Sequence, residues 1–144
     1  MKKFVFLCLL FTVFLYGCSE ENVQNIYGTY VFENEYVKQK LLLKPDGTFE
    51  QVTYVFKNDD FLKTNGTYNF REKEYKGNNL SLKGYLSILD FTGKLEKKYS
   101  RIPEHDVFYS FNITNYFGRR KIGFLEGCYY NKIKDWREGD TLTK

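Results

Sequence analysis

An all-β fold is the class this sequence predicts, and three observations carry it. Aromatic and β-branched residues dominate, with 14 Phe, 13 Tyr and one Trp against a single Met and two Pro, a composition that suits pleated surfaces better than helices. Short segments of strand character recur, separated by turn residues about every 8 to 12 positions, as in a sandwich or barrel. No segment holds a helical period over about ten residues. The expected architecture is one domain over residues 26–144, an antiparallel up-and-down barrel or strongly curved sheet of about eight strands.

Residues 27–33 place Tyr30 and Phe32 on one face and Thr29, Val31 and Glu33 on the other. A short helix over 33–38 is the one helical alternative. Residues 39–44 form a second strand with Leu41 and Leu43 facing together, and Pro45-Asp46-Gly47 turns the chain, since Pro presets φ and Gly accepts positive φ. Residues 48–56 return as the hairpin partner. Residues 57–65 read as a polar loop that contains Asn58-Asp59-Asp60 and ends in the turn signal Asn65-Gly66. Residues 67–71 are a strand with Tyr68 and Phe70 on one side.

Asn78-Asn79 opens a strand at 80–82, residues 85–91 continue as another across Gly84, and the charged stretch 94–101 pairs only at an edge. Residues 107–117 alternate most cleanly, with Val107, Tyr109, Phe111 and Ile113 opposite Ser110, Asn112 and Thr114. Residues 119–125 pair back across Phe117-Gly118 and present Ile122 and Phe124; residues 128–134 close the set with Tyr129 and Ile133. Gly28-Thr29-Tyr30, Gly47-Thr48-Phe49 and Gly66-Thr67-Tyr68 share one pattern, a bendable Gly before a β-branched residue and an aromatic, and read as three strand starts.

The chemistry of catalysis is missing from the motifs. His105 in Pro103-Glu104-His105-Asp106 has carboxylates beside it, yet adjacent strand residues point to opposite faces and no second nitrogen or thiolate is near, so a solvated turn is expected rather than a metal site or general base. Asn58-Asp59-Asp60 lacks the Asp-x-Asp-x-Asp-Gly spacing of a calcium loop. Cys128 has no activating base along the chain and reads as a small buried strand residue. No Gly-x-Ser-x-Gly, Walker-type loop or His-Glu-x-x-His occurs. The expectation is no catalytic residue, no metal, no cofactor and no enzyme. The formal charge of +4 is mixed with acids and includes Lys2 and Lys3, which is too weak a basic balance for nucleic acid. The runs 94–101 and Arg119-Arg120-Lys121 read as guards of exposed strand edges, with contact to an acidic partner or lipid headgroups left open.

The tyrosines pose the remaining question, because a buried phenol hydroxyl needs a hydrogen-bond partner. Either Tyr30, Phe32, Tyr68, Phe70, Tyr109 and Phe111 line a cavity, or the same aromatics are a core.

Lys2 and Lys3, the apolar run 4–15 and small Gly17 make a secretory leader. The run is shorter than the roughly 20 residues that span a bilayer. Leu15-Tyr16-Gly17-Cys18 resembles the lipobox of bacterial lipoproteins at three of its four positions. The resemblance implies that residues 1–17 are a signal peptide, that Cys18 is lipidated as the first mature residue, and that the chain sits at a membrane of the bacterial cell envelope. Residues 18–25 are then a polar tether. Glu20-Glu21 is similar to the acidic tags that send some Bacteroidota lipoproteins to the cell surface, which favours the outer membrane or surface. With Cys8 in the leader and Cys18 lipidated, Cys128 has no disulfide partner.

A Gly28-Thr29-Tyr30 opening, a Leu-rich strand into Pro45-Asp46-Gly47-Thr48-Phe49, a second Gly66-Thr67-Tyr68 and a closing Tyr129-Tyr130-Asn131-Lys132-Ile133 together resemble the small lipocalin-like lipoprotein domains of Bacteroidota. The resemblance implies a barrel whose interior holds a small apolar ligand; it carries over no functional residues. The function expected is that of a lipid-anchored envelope binding protein for a small amphipathic or apolar ligand. The alternative is an envelope protein-interaction module, such as an inhibitor or immunity lipoprotein, using the loops at 57–65 or 103–106.

Overall fold

A computed structural model describes residues 26–71, 80–104, 106–116, 119–125 and 128–143. The expected leader, Cys18 and the expected tether lie outside these residues, as do His105 and the turn expected at Phe117-Gly118. Eight strands follow in order: β1 (Gly28–Glu33), β2 (Val37–Leu43), β3 (Thr48–Val55), β4 (Asp60–Phe70), β5 (Leu80–Lys83), β6 (Phe108–Tyr116), β7 (Arg119–Leu125) and β8 (Cys128–Asp135). Each pairs antiparallel with the next, and β8 pairs with β1, so the sheet closes into an eight-stranded barrel. Among the described residues there is no helix.

Closure follows from the alternation. On β2 the positions Val37, Gln39, Leu41 and Leu43 point inward and are buried, and on β3 the same holds for Phe49, Gln51, Thr53 and Val55. Outward positions form a polar grid in which Lys38, Tyr54 and Phe61 lie in one row across β2, β3 and β4, and Lys40, Val52 and Lys63 in the next. On β2 and β3 the charged side chains, Lys38, Lys40 and Glu50, are among the outward ones.

The Pro45-Asp46-Gly47 turn forms as expected: Lys44 N donates to Thr48 O at 3.0 Å, Gly47 has φ 81°, and the Asp46 carboxylate accepts from Thr48 N and Oγ1 at 2.9 and 2.6 Å. Gly28 and Gly47 precede strand interiors as expected, but Gly66 does not start a strand. It lies in the middle of β4, paired with Phe49 across the ladder. A Cβ there would stand 2.0 Å from Lys83 O and 2.8 Å from the Phe49 ring. Asn65-Gly66 is therefore a close approach of backbones, and the loop read over 57–65 is strand from Asp60 onward. The inward positions of this half-strand are Leu62, Thr64 and Gly66, too small and polar to show an apolar alternation.

Three other expectations fail. No helix forms over 33–38; Asn34 Oδ1 instead accepts from Tyr36 N and Val37 N at 2.9 and 3.0 Å, a side-chain turn that bends the chain into β2. In β8 the inward residue is Tyr130, fully buried, while Tyr129 and Ile133 face out. Aromatics of both parities stand next to each other there, and a register shift opposite Thr29 and Tyr30 breaks the period. The basic runs guard no edge, since a closed barrel has none. Arg120 is buried on β7.

Gly66→Ala is expected to lower unfolding free energy by at least about 2–3 kcal/mol, because the added methyl cannot avoid a backbone carbonyl; chemical denaturation measures it.

Candidate functional site

The segment expected as a strand over 85–91 is the feature around which the interior is built. Gly84, Tyr85, Leu86, Ile88 and Leu89 are all buried, and burial of successive residues leaves no solvent face for an alternating strand. The segment runs inside the barrel. Gln51, inward on β3, donates from Nε2 to Leu86 O at 3.0 Å and accepts from Leu86 N at 2.8 Å. A side-chain amide thus does for Leu86 what a neighbouring strand would do. One step along, Thr64 Oγ1 on β4 donates to Gly84 O at 3.2 Å.

A second chain of polar groups crosses the lumen. Tyr130 donates its hydroxyl to Gln39 Oε1 at 2.7 Å, Gln39 Nε2 donates to Thr53 Oγ1 at 3.2 Å, and the Tyr85 and Tyr130 oxygens stand 2.8 Å apart. Since the Tyr130 proton goes to Gln39, Tyr85 is the donor between them. Burial pushes both tyrosine hydroxyls well up from their ordinary value. They stay protonated and serve as fixed donors, never as phenolate bases. Tyr30 donates to Ile26 O at 2.6 Å and Tyr68 donates to Lys44 O. Among the described residues no buried side-chain polar atom lacks a partner.

The six aromatics expected either to line a cavity or to form a core are brought together in one cluster. Tyr30, Phe32 and Phe111 are buried in one cluster, against which Tyr68, Phe70 and Tyr109 pack. The Tyr85 ring stands 5.1 Å from Phe111 and 5.3 Å from Tyr109. Residues 84–89 pack against these rings and bond to the inward side chains of β3 and β4.

Beyond Leu89 the chain covers one end of the barrel. Leu89 bridges Leu95, Asp90 N donates to Lys94 O at 2.8 Å, and the turn between them rests on the β1–β2 connection through Asn34 Nδ2 to Gly93 O at 2.9 Å. The stretch expected to pair at an edge is fastened to the start of β4: Tyr99 donates to Asp60 Oδ2 at 2.7 Å, and Arg101 Nη2 reaches both Asp60 oxygens at 2.6 and 2.7 Å. The Tyr99 bond and the Arg101 guanidinium hold the Asp60 carboxyl below the usual range. Asp59 accepts from Tyr54. These two carboxylates are engaged with protein donors, and among the described residues no three His, Cys, Asp or Glu side chains gather as a metal would need. Cys128 is half-buried, and burial pushes its thiol up, away from the reactive thiolate.

The cap leaves large apolar side chains in water. Phe91, at its turn, is 86% exposed and Ile102 is 68% exposed. Lys97 and Lys98 between them are exposed and form no ion pair among the described residues.

On the outer wall the C-terminal tail folds back over β3 and β4. Leu142 packs on Leu42 and Val52, its N–H donates to Glu50 Oε2 at 2.9 Å, and its carbonyl accepts from Lys63 Nζ at 3.1 Å. Lys44 pairs with the other Glu50 oxygen at 2.6 Å. Burial pushes the Glu50 carboxyl up, but the bonds from Lys44 and Leu142 and the charges of Lys44 and Lys63 outweigh it, so the net shift is downward.

Sequence reasoning missed Gln39 and Gln51. Each stands two residues from inward neighbours, Val37 and Leu41 for one, Phe49 and Thr53 for the other, so parity is the signal that could have placed them inside. Compared with protein families, curated proteins and solved structures, the chain matches none.

Gln51→Leu removes both bonds to Leu86 and strands a buried N–H and C=O, so unfolding free energy should fall by about 2–4 kcal/mol. Hydrogen exchange should show the Leu86 amide losing protection before the β2–β3 ladder does. Glu50 supplies a separate test. Its folded value lies below its unfolded one, so its contribution is present above the ordinary glutamate value of about 4.3 and is lost as pH falls through the folded value. Acid should therefore release the tail, read by Trp136 fluorescence, and Glu50→Gln should abolish that acid step.

Proposed function

We propose that this chain is a lipid-anchored recognition protein of the bacterial cell envelope, without catalytic chemistry, that binds a protein partner in the manner of an inhibitor or immunity lipoprotein. Lipidated Cys18 holds it to the outer membrane or cell surface, in keeping with the lipobox-like Leu15-Tyr16-Gly17-Cys18 and the acidic pair Glu20-Glu21. The observation that carries this reading is the segment packed against the inner wall, where the Gln51 side chain binds Leu86 at two points; it favours recognition on the outside. A ligand in the lumen has first to expel residues 84–89, with their hydrogen bonds and buried side chains.

The capped end suits a partner with an acidic surface around an apolar pocket. Phe91 and Ile102 supply exposed apolar anchors, and Lys97 and Lys98 supply exposed positive charge. Interfaces draw most of their energy from a few such side chains, with charge complementarity steering the encounter. The cap is fixed to the barrel through Asp60 and Asn34, so its anchors are presented without a large ordering cost.

The lipidated chain, captured from membranes, should bring down one protein in stoichiometric amount and no lipid-like ligand beyond its anchor. A Phe91→Ala, Ile102→Ala, Lys97→Glu, Lys98→Glu variant should recover that protein about tenfold less or worse, and Cys18→Ser should leave the membrane fraction. Equal recovery by the variant, or membrane retention of Cys18→Ser, overturns the proposal.

A further inference from the structure

The outer wall of β2, β3 and β4 carries a cleft of about 320 Å³, lined by Lys38, Lys40, Val52, Tyr54, Asp59, Phe61 and Thr143. We propose that this cleft binds a small amphipathic anion, a carboxylate on a short apolar tail, with the headgroup on Lys40. The inference does not depend on the protein-partner reading, which concerns the capped end.

The cleft exists because the C-terminal tail covers only part of the polar grid. Leu142 seals Leu42 and the near side of Val52 and is held by Glu50 and Lys63. In the rows beyond it, Lys38, Tyr54, Phe61 and Lys40 are half-buried around buried Val52, and the cleft lies among them beside Thr143. Val52, Tyr54 and Phe61 thus make an apolar and aromatic floor beside Lys38, Lys40 and Asp59. A cleft of this volume is at the small end of the range for ligand pockets, about 300–1,000 Å³, so its occupant is small.

Charge sets the sign and direction of the occupant. Lys38 is paired with Glu33 at 2.7 Å, and Lys63 with Glu50 at 3.5 Å. Lys40 forms no ion pair among the described residues. It faces the cleft beside Val52, in the row next to the tail, whereas Asp59 stands at the β3–β4 turn, where Tyr54 donates to it. An anionic head is drawn to Lys40 and repelled from Asp59, while the tail of the ligand lies over Val52, Tyr54 and Phe61. A cation meets the opposite arrangement and finds its one carboxylate already hydrogen-bonded.

The protein carries its own reporter. Trp136, the single tryptophan, packs against the cluster of Leu42, Val52 and Leu142 that forms one edge of the cleft, together with Phe61. Octanoate is titrated into the full chain in a neutral detergent while Trp136 emission is followed, with octanol and octylammonium as probes of the same tail. Octanoate should give a saturable change, and Lys40→Glu, on the outer wall, should weaken it about tenfold or more without changing the melting temperature, as loss of a charge-assisted contact does. Octanol should bind about as weakly as octanoate does to Lys40→Glu, and octylammonium should give no saturable change. An unsaturable response to octanoate, equal binding by octanol, or unchanged affinity in Lys40→Glu would each overturn the assignment. Loss of the partner from the capped end leaves this outcome untouched.

Discussion

The bidentate contact between the Gln51 amide and the Leu86 backbone is the constraint from which the rest of the molecule follows. A segment threaded through a barrel carries peptide groups that no strand neighbours, and each one left unpaired in an apolar interior costs about 1–3 kcal/mol. Gln51 offers one donor and one acceptor at nearly the spacing of a peptide unit, and Thr64 supplies a further donor at Gly84. With its backbone satisfied, the segment can bury Tyr85, Leu86, Ile88 and Leu89 against the inner wall. The barrel keeps the outline of a container and packs a length of its own chain against the inner wall.

The tyrosine content has the same origin. A small closed barrel has room for large rings but gives their hydroxyls no water, so the rings are useful only where a partner is built in. Tyr85, Tyr130, Gln39 and Thr53 supply one another in sequence, each donor meeting the next acceptor across three different parts of the wall and the threaded segment. Such a network fixes which strand faces which, because a slip of one residue in β2 or β8 would break it and turn every inward side chain outward.

Much of the barrel was legible from alternation. β1, β3, β6 and the Pro45-Asp46-Gly47 hairpin were readable because one face is apolar and the turn residues have fixed backbone preferences. What was illegible shares a physical cause: residues chosen for contacts distant in sequence. Gly66 is a turn signal locally and a close approach to Lys83 in space. The apolar run from Tyr85 resembles a strand until Gln51 is known to face it. Tyr129 and Tyr130 compete for the same side until the register with β1 decides. For the candidate site, the sequence held the aromatic list and the basic stretch 94–101, but whether those rings enclose space or fill it depended on where residues 84–89 go. Lys40 and the tail that frames its cleft could not be seen without the fold of Leu142 back onto Val52.

Closure of the sheet between β1 and β8 has a consequence for the order in which the domain is made. Gly28 pairs with Asp135, and Trp136 N donates to Tyr27 O at 3.3 Å, so the first of the eight strands has the last as one of its neighbours. Until β8 is in place the opening hairpins have nothing to close upon, and pairings this remote in the chain form slowly. The seam between β1 and β8 is therefore the step for which ripening into a barrel has to wait.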